Sequence, residues 1–258
     1  MNELIKDANA LTGIAADLLW LGALVFMRVG SMMSLLPAFG EQSVPQRVRL
    51  VLALTFTAVV APAAQASPDP TQATLAPLLI EAVVGLMLGI GLRMFVLALQ
   101  IAGAIAAQAT SLSQMFGGAG PEPQPAIGNL MVMAGLALAV AAGLHVRAAE
   151  LIILSYQLLP MGRLPAAADV AQWGLSQVTH AFSLAFCLAA PFTIAALLYN
   201  VAIGVINRAM PALMVSLIGA PALTLGGLIL MALSLPLALA LWSQSLQGFF
   251  VSPFSAMP

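Results

Sequence analysis

Between Pro77 and Gly128 the chain sets a helix-incompatible segment between two apolar runs of membrane length. Residues 78–99 form the first run, interrupted by Glu81 and Arg93, and it continues through Gln100-Ile-Ala-Gly103, where small residues thin the side-chain layer. Then comes Met115-Phe116-Gly117-Gly118-Ala119-Gly120-Pro121-Glu122-Pro123-Gln124-Pro125, before a second apolar run begins at Ile127. Glycine loses too much backbone entropy to continue a helix and proline lacks the amide hydrogen, so this segment is expected to be a loop. Lipid cannot satisfy the amides of such a loop. At membrane depth it must therefore line a cavity or be buried in protein, which points to a pore or a gate.

The remaining composition agrees with a membrane protein. The chain is 62% hydrophobic and 7% charged, with a mean hydropathy of +1.05, whereas about a quarter of the residues of a soluble domain are charged. So much apolar surface also excludes a disordered chain. The 258 residues leave room for roughly six to eight helical segments at about 20 residues per span. A net charge of −1 without any Lys/Arg cluster argues against nucleic acid as a partner. The acidic balance of the first residues is unlike the positive start of a cleavable signal, so the first apolar segment is expected to be retained. Cys187, the single cysteine, is expected to be a small packed hydrophobe.

In chain order, a polar lead (1–13) precedes a spanning helix over 14–36 that carries Asp17 and Arg28 and ends at Pro37, since the residue before proline is pushed out of the helical region. A tight loop leads to Arg47, Arg49 and a helix over 50–60, short for a span. Residues 62–77 read as a linker without Lys or Arg. Apolar runs follow at 127–146, 148–159, 171–206 and 212–242; Pro191 is expected to kink or break the third, and Pro221, Gly226-Gly227 and Pro236 to interrupt the last. Asn207-Arg208-Ala-Met-Pro211 forms a polar knot between them. The two arginines of the 40–49 loop against the bare 62–77 linker place that loop in the cytoplasm, but elsewhere the charge bias is too weak to orient the chain.

Arg28, Glu81, Arg93, Arg147, Glu150 and Arg208 are the expensive residues, because a charge at bilayer centre costs about 2.5–3.5 kcal/mol on insertion scales. Each needs a partner or a wet cavity. Arg147 and Glu150 are spaced to meet on one helix face. Glu81 and Arg93 lie more than three turns apart and must look to other segments or other chains. Arginine does not release its proton, so pairing between helices is preferred over a proton relay. Gly85-Leu-Met-Leu-Gly89 and the looser Gly103-Ala-Ile-Ala-Ala107 allow close helix packing. Met115 beside Phe116 suits a deformable closure. His145 and His180 lack a second histidine or carboxylate at ligand spacing, and HExxH, CxxC and Gly-Lys-Ser patterns do not occur. No metal, cofactor or catalytic group is therefore expected. The alternative to a gate subunit is a solitary secondary transporter with Glu81 as its coupling residue. That reading predicts an internal repeat, and the proline and charge positions of the two halves do not correspond.

Several blocks occur together in a fixed order: Arg28…Pro37-Ala-Phe39-Gly40…Val44-Pro45-Gln-Arg47-Val-Arg49, Glu81-Ala-Val-Val-Gly85…Gly89, and Gln100-Ile-Ala-Gly103. Ser155-Tyr-Gln-Leu-Leu-Pro160-Met-Gly162 comes next, then Asn200-Val-Ala-Ile-Gly204-Val-Ile-Asn207-Arg208-Ala-Met-Pro211 and Ile218-Gly219. In order and spacing, over nearly the whole chain, they resemble the FliR family of flagellar export-gate proteins, which has counterparts in injectisome type III secretion. The resemblance implies an all-α, membrane-inserted subunit whose helical hairpins pack into a spiral assembly with FliP- and FliQ-like chains, working with FlhB- and FlhA-like chains in the bacterial inner membrane at the flagellar basal body. It implies a FliP-like part over 1–170, a FliQ-like hairpin and tail over 171–258, and no enzymatic activity. Residues 116–125 then resemble a channel plug (Phe116, Gly117, Gly118, Gly120, Pro121, Pro123 and Pro125, with Met115 at its mouth) that holds back unfolded export substrates. Arg28, Glu81, Arg93, Arg147, Glu150, Asn207 and Arg208 are implied to pair helices or subunits. The chain departs from the family pattern at Thr110-Ser-Leu-Ser-Gln and at Ala212-Leu213-Met214.

Overall fold

Seven α-helices and no strand make up the described residues of the computed structural model, which are 2–41, 43–64, 74–110, 126–209 and 215–254. They are α1 (Asn2–Leu35), α2 (Gln46–Ala63), α3 (Leu75–Thr110), α4 (Ala126–Ala141), α5 (Leu144–Leu158), α6 (Ala167–Ala209) and α7 (Val215–Val251). By length and composition α1, α2, α3, α6 and α7 each contain a stretch able to cross a membrane. The chain is thus an all-helical membrane protein.

Several boundaries differ from the sequence reading, for local reasons. α1 absorbs the polar lead, starting at Asn2. α2 begins at Gln46 and tolerates Pro62 near its end, reaching 18 residues, so it is long enough to span. The break expected near residue 147 falls instead at Gly143, whose φ of 82° is a left-handed conformation that glycine adopts without steric cost. α6 runs unbroken through Pro191, as apolar helices allow when neighbouring groups re-satisfy the freed backbone; nearby, the Thr193 hydroxyl donates to the Ala189 carbonyl at 3.2 Å. α7 likewise continues through Gly226, Gly227 and Pro236 to Val251, well past residue 242. Cys187 is exposed on α6 rather than packed.

The chain forms two compact units. The first comprises Met1–Arg93, Val140–Gly174 and Ser252–Pro258. Val25, Arg28, Val29 and Met32 are fully buried on α1, as are Glu81, Val84, Leu88 and Leu92 on α3. Both sets recur at three- and four-residue intervals, the spacing of a single helix face. Each charge therefore sits within a core stripe. The Trp173 indole donates to the Pro253 carbonyl at 2.8 Å, tying the end of the chain to the start of α6.

The second unit comprises Met94–Ala139 and Leu175–Val251. Trp242, fully buried, donates its indole N–H to the Phe95 carbonyl at 2.9 Å. The Phe95 ring meets Phe249 and His180 edge-on, with centroids 5.5 and 6.0 Å apart. Ala106, Phe192 and Met231 form a second small core against which Ala109 and Ile127 pack. The expected division at residue 170 concerns likeness to partner chains, a different matter from packing within this one.

Candidate functional site, a buried ion-pair clamp

The α1–α2 connection shows how tightly the first unit is wound. Pro37 ends α1, and Ala38 takes a φ of 67°, a left-handed conformation in which its Cβ crowds the following carbonyl. The Gly40 amide donates back to the Leu36 carbonyl at 2.7 Å. A Cβ on Gly40 would lie 2.5 Å from the Ser34 carbonyl oxygen, so only glycine fits. The next residue, Glu41, joins three elements. Its carboxylate pairs with Arg93 of α3, and its carbonyl accepts from Arg49 Nη2 of α2 at 2.7 Å.

Deeper in the unit, Arg28 and Glu81 form an ion pair with both side chains fully buried: Arg28 Nε donates to Glu81 Oε2 at 2.6 Å. Removing two charges from solvent costs several kcal/mol per ion unless their remaining hydrogen-bonding groups are filled. Here α5 and the turn after it fill them. Arg28 Nη1 donates to Ser155 Oγ at 2.9 Å, and Nη2 donates to the Leu159 carbonyl at 3.0 Å. The guanidinium carbon lies 3.8 Å from the centroid of the Tyr156 ring, a cation–π contact strengthened by desolvation. The Gly162 amide donates to Glu81 Oε1 at 2.9 Å, a placement set by the left-handed φ of 69° at Gly162. The turn after α5 thus offers a carbonyl to the cation and an amide to the anion. Together these contacts clamp α1, α3 and α5.

Gly85 and Gly89 let the two charged helices approach. A Cβ on Gly85 would collide with Ser31 Oγ and with the Arg28 carbonyl oxygen, and one on Gly89 would come within 2.9 Å of Leu35 Cβ. In the second unit a Cβ on Gly103 would strike Gly128 Cα. There the backbones of α3 and α4 touch, about two turns before the end of α3 and within the first turn of α4.

The other residues singled out in the sequence are distributed more widely. Arg147 Nη1 donates to Glu150 Oε2 at 3.2 Å, with side chains 59% and 58% exposed. A solvated pair of this kind is worth little, and Arg147→Ala is expected to shift unfolding stability by less than about 1 kcal/mol in a denaturant titration. Asn207 and Arg208 are exposed near the C-terminal end of α6, where the positive charge complements the helix dipole. Met115, Phe116, Gly117, Gly118, Gly120, Pro121, Pro123 and Pro125 lie outside the described residues.

Sequence reasoning did not identify Glu41 as the partner of Arg93, nor the Ser155–Gly162 segment as the receptor for the Arg28–Glu81 pair. A signal for the latter was present: polar Ser155 and Tyr156 precede a Pro160-Met-Gly162 turn at the end of an apolar run. Both oxygens of Glu81 are occupied within the clamp, an arrangement suited to holding helices together.

Residues 19–249 match the family model described as bacterial export proteins, family 1. The chain is 35% identical over 231 residues to the flagellar biosynthetic protein FliR of Caulobacter vibrioides, covering 87% of this chain and 92% of that protein. It is 30% identical to the flagellar biosynthetic protein FliR of Escherichia coli, covering 82% of each. The protein of the same name from Aquifex aeolicus is 29% identical, with 88% of this chain and 90% of that protein covered.

Proposed function

From a chain that belongs to the bacterial export proteins, family 1, and within them to the FliR family, with the role in flagellar protein export which that membership carries, we propose a non-enzymatic, pore-forming subunit of the export gate in the bacterial inner membrane. It assembles in a spiral with FliP- and FliQ-like chains and works with FlhB- and FlhA-like chains. Residues 1–170 act as the FliP-like part and 171–258 as the FliQ-like hairpin and tail. The observation that carries the multi-chain reading is how little of the spanning helices the chain itself covers. The apolar windows of α1, α2, α6 and α7 are only 33%, 17%, 28% and 22% buried. Such open apolar faces are the surface against which helices of neighbouring subunits would pack. Asn207 and Arg208, exposed near the end of α6, offer polar contacts to the next subunit.

The segment 116–125 plugs the conduit. Support comes from its glycine and proline content and from the α3 and α4 stems, drawn together at Gly103 and Gly128. Gating is passive: the loop moves aside for an unfolded polypeptide and returns, while Met115 and Phe116 at its mouth complete the closure. A triple replacement of Gly117, Gly118 and Gly120 by valine is expected to cut export of flagellar substrates severalfold or to make cells leak small ions. Normal export together with normal ion tightness would end the plug assignment. Co-purification with FliP-, FliQ- and FlhB-like chains tests the assembly. The transporter alternative gains no support from Glu81, whose carboxylate is spent on Arg28 and Gly162; solute uptake by the chain alone in liposomes would revive it.

A further inference from the structure

A second feature of the first unit is not used by the clamp. α1 packs against α2, and a groove of about 360 Å³ lies between them. Its walls are apolar, from Phe26, Met27 and Gly30 on α1 to Leu50 and Ala53 on α2, and Arg49 closes one end. The serines that line it, Ser31 and Ser34, spend their hydroxyl protons on carbonyls of their own helix. From residue 26 to residue 34 the groove extends about 12 Å along α1 at about 1.5 Å per residue. That is a slot for a chain of methylenes with a cation at its mouth.

Among the described residues no carboxylate neutralises that charge. The Glu41 carboxylate is paired with Arg93, and Arg49 reaches the Glu41 carbonyl. Among the described residues Arg49 has no carboxylate partner, and its Nε is buried with no acceptor. An orphaned buried donor is costly, more so on a charged group. Arg47, which is exposed, adds a second cation two residues away. Both lie in the first turn of a spanning helix, where headgroups sit, and α2 is the least buried of the five candidate spans.

We propose that this groove is a binding site for an anionic phospholipid, with one acyl chain between α1 and α2 and the phosphate accepting from Arg49, aided by Arg47. The lipid supplies the negative charge that the described residues do not place on Arg49 and covers apolar wall that two helices alone leave open. Juxtamembrane cations attract anionic headgroups in this manner, each contributing about fivefold in affinity.

The test uses the full chain purified in detergent, with phosphatidylglycerol and phosphatidylcholine of identical acyl chains, read by native mass spectrometry. Retention of one phosphatidylglycerol in preference to phosphatidylcholine is expected. Arg49→Gln should lower that preference about fivefold. Gly30→Leu should abolish retention of both lipids without loss of helix content, because a Cβ on Gly30 meets only the Phe26 ring, at 3.8 Å. Arg147→Gln, an exposed cation outside the groove, should change nothing. Equal retention of both lipids, or a preference unaffected by Arg49→Gln and Gly30→Leu, overturns the proposal. So does inorganic phosphate displacing the lipid at micromolar concentration, or a cross-link from Gly30→Cys to a partner subunit's helix in place of lipid.

Discussion

Replacing Arg28 by methionine is expected to lower the stability of the detergent-solubilised protein by about 3–5 kcal/mol, the cost of leaving one member of a buried ion pair behind. Glu81 would keep only the Gly162 amide, and Ser155 and the Leu159 carbonyl would lose their donor. Glu81→Gln should be nearly as damaging despite its matching shape. The carboxylate accepts on both oxygens, from Arg28 and from Gly162, whereas an amide would aim its own N–H₂ at one of those donors. In Arg28→Met/Glu81→Met no charge is stranded. Against the Arg28→Met and Glu81→Met single variants, each of which strands one charge at about 3–5 kcal/mol, the double variant should therefore recover about a third of the summed single losses, a coupling of about 2–3 kcal/mol in a double-mutant cycle. Denaturant titration followed by far-ultraviolet circular dichroism measures all four variants. Additive effects, each under about 1 kcal/mol, would mean that the pair does not hold these helices together.

Gly85→Ala should destabilise by about 1–3 kcal/mol, although alanine is the better helix former by about 1 kcal/mol. Its Cβ meets the Arg28 carbonyl oxygen and Ser31 Oγ. Ser31 could rotate away, but the backbone carbonyl cannot. α3 must then withdraw from α1, and Glu81, four residues earlier on the same helix, withdraws with it. The loss should accordingly shrink when Arg28→Met is already present, since there is less of a clamp left to open. Gly22→Ala serves as the control: nothing lies within 4 Å of its added Cβ, and a gain of up to about 1 kcal/mol is expected. A distance measured between spin labels on exposed positions of α1 and α3 should lengthen in Gly85→Ala and stay unchanged in Gly22→Ala. If Gly85→Ala stabilises as much as Gly22→Ala, the close approach of the two helices is not what that position serves.

Helical character, membrane residence and the cost of each buried charge were legible from residue types alone, because hydropathy and helical periodicity are local properties. So was the need of Glu81 and Arg93 for partners elsewhere, since twelve residues of helix separate them by more than three turns. Which partner each would take was not legible. Arg28 and Glu81 are 53 residues apart and Arg93 and Glu41 are 52 apart, and one sequence contains nothing that ranks one distant acceptor above another. The turn Leu159–Gly162 looked like a simple stop after an apolar run. Only packing reveals that its carbonyl and its amide face opposite ends of an ion pair. Helix ends behaved similarly. Pro191 and Pro236 read as breaks, yet α6 and α7 continue through them, while the break that does occur rests on the left-handed Gly143. Composition and spacing determined that this chain is a set of apolar helices carrying a few charges that must be matched. The tertiary structure decided the matches, because desolvation penalises an unpaired charge wherever it lies, and only the packed backbone brings a specific acceptor within 3 Å.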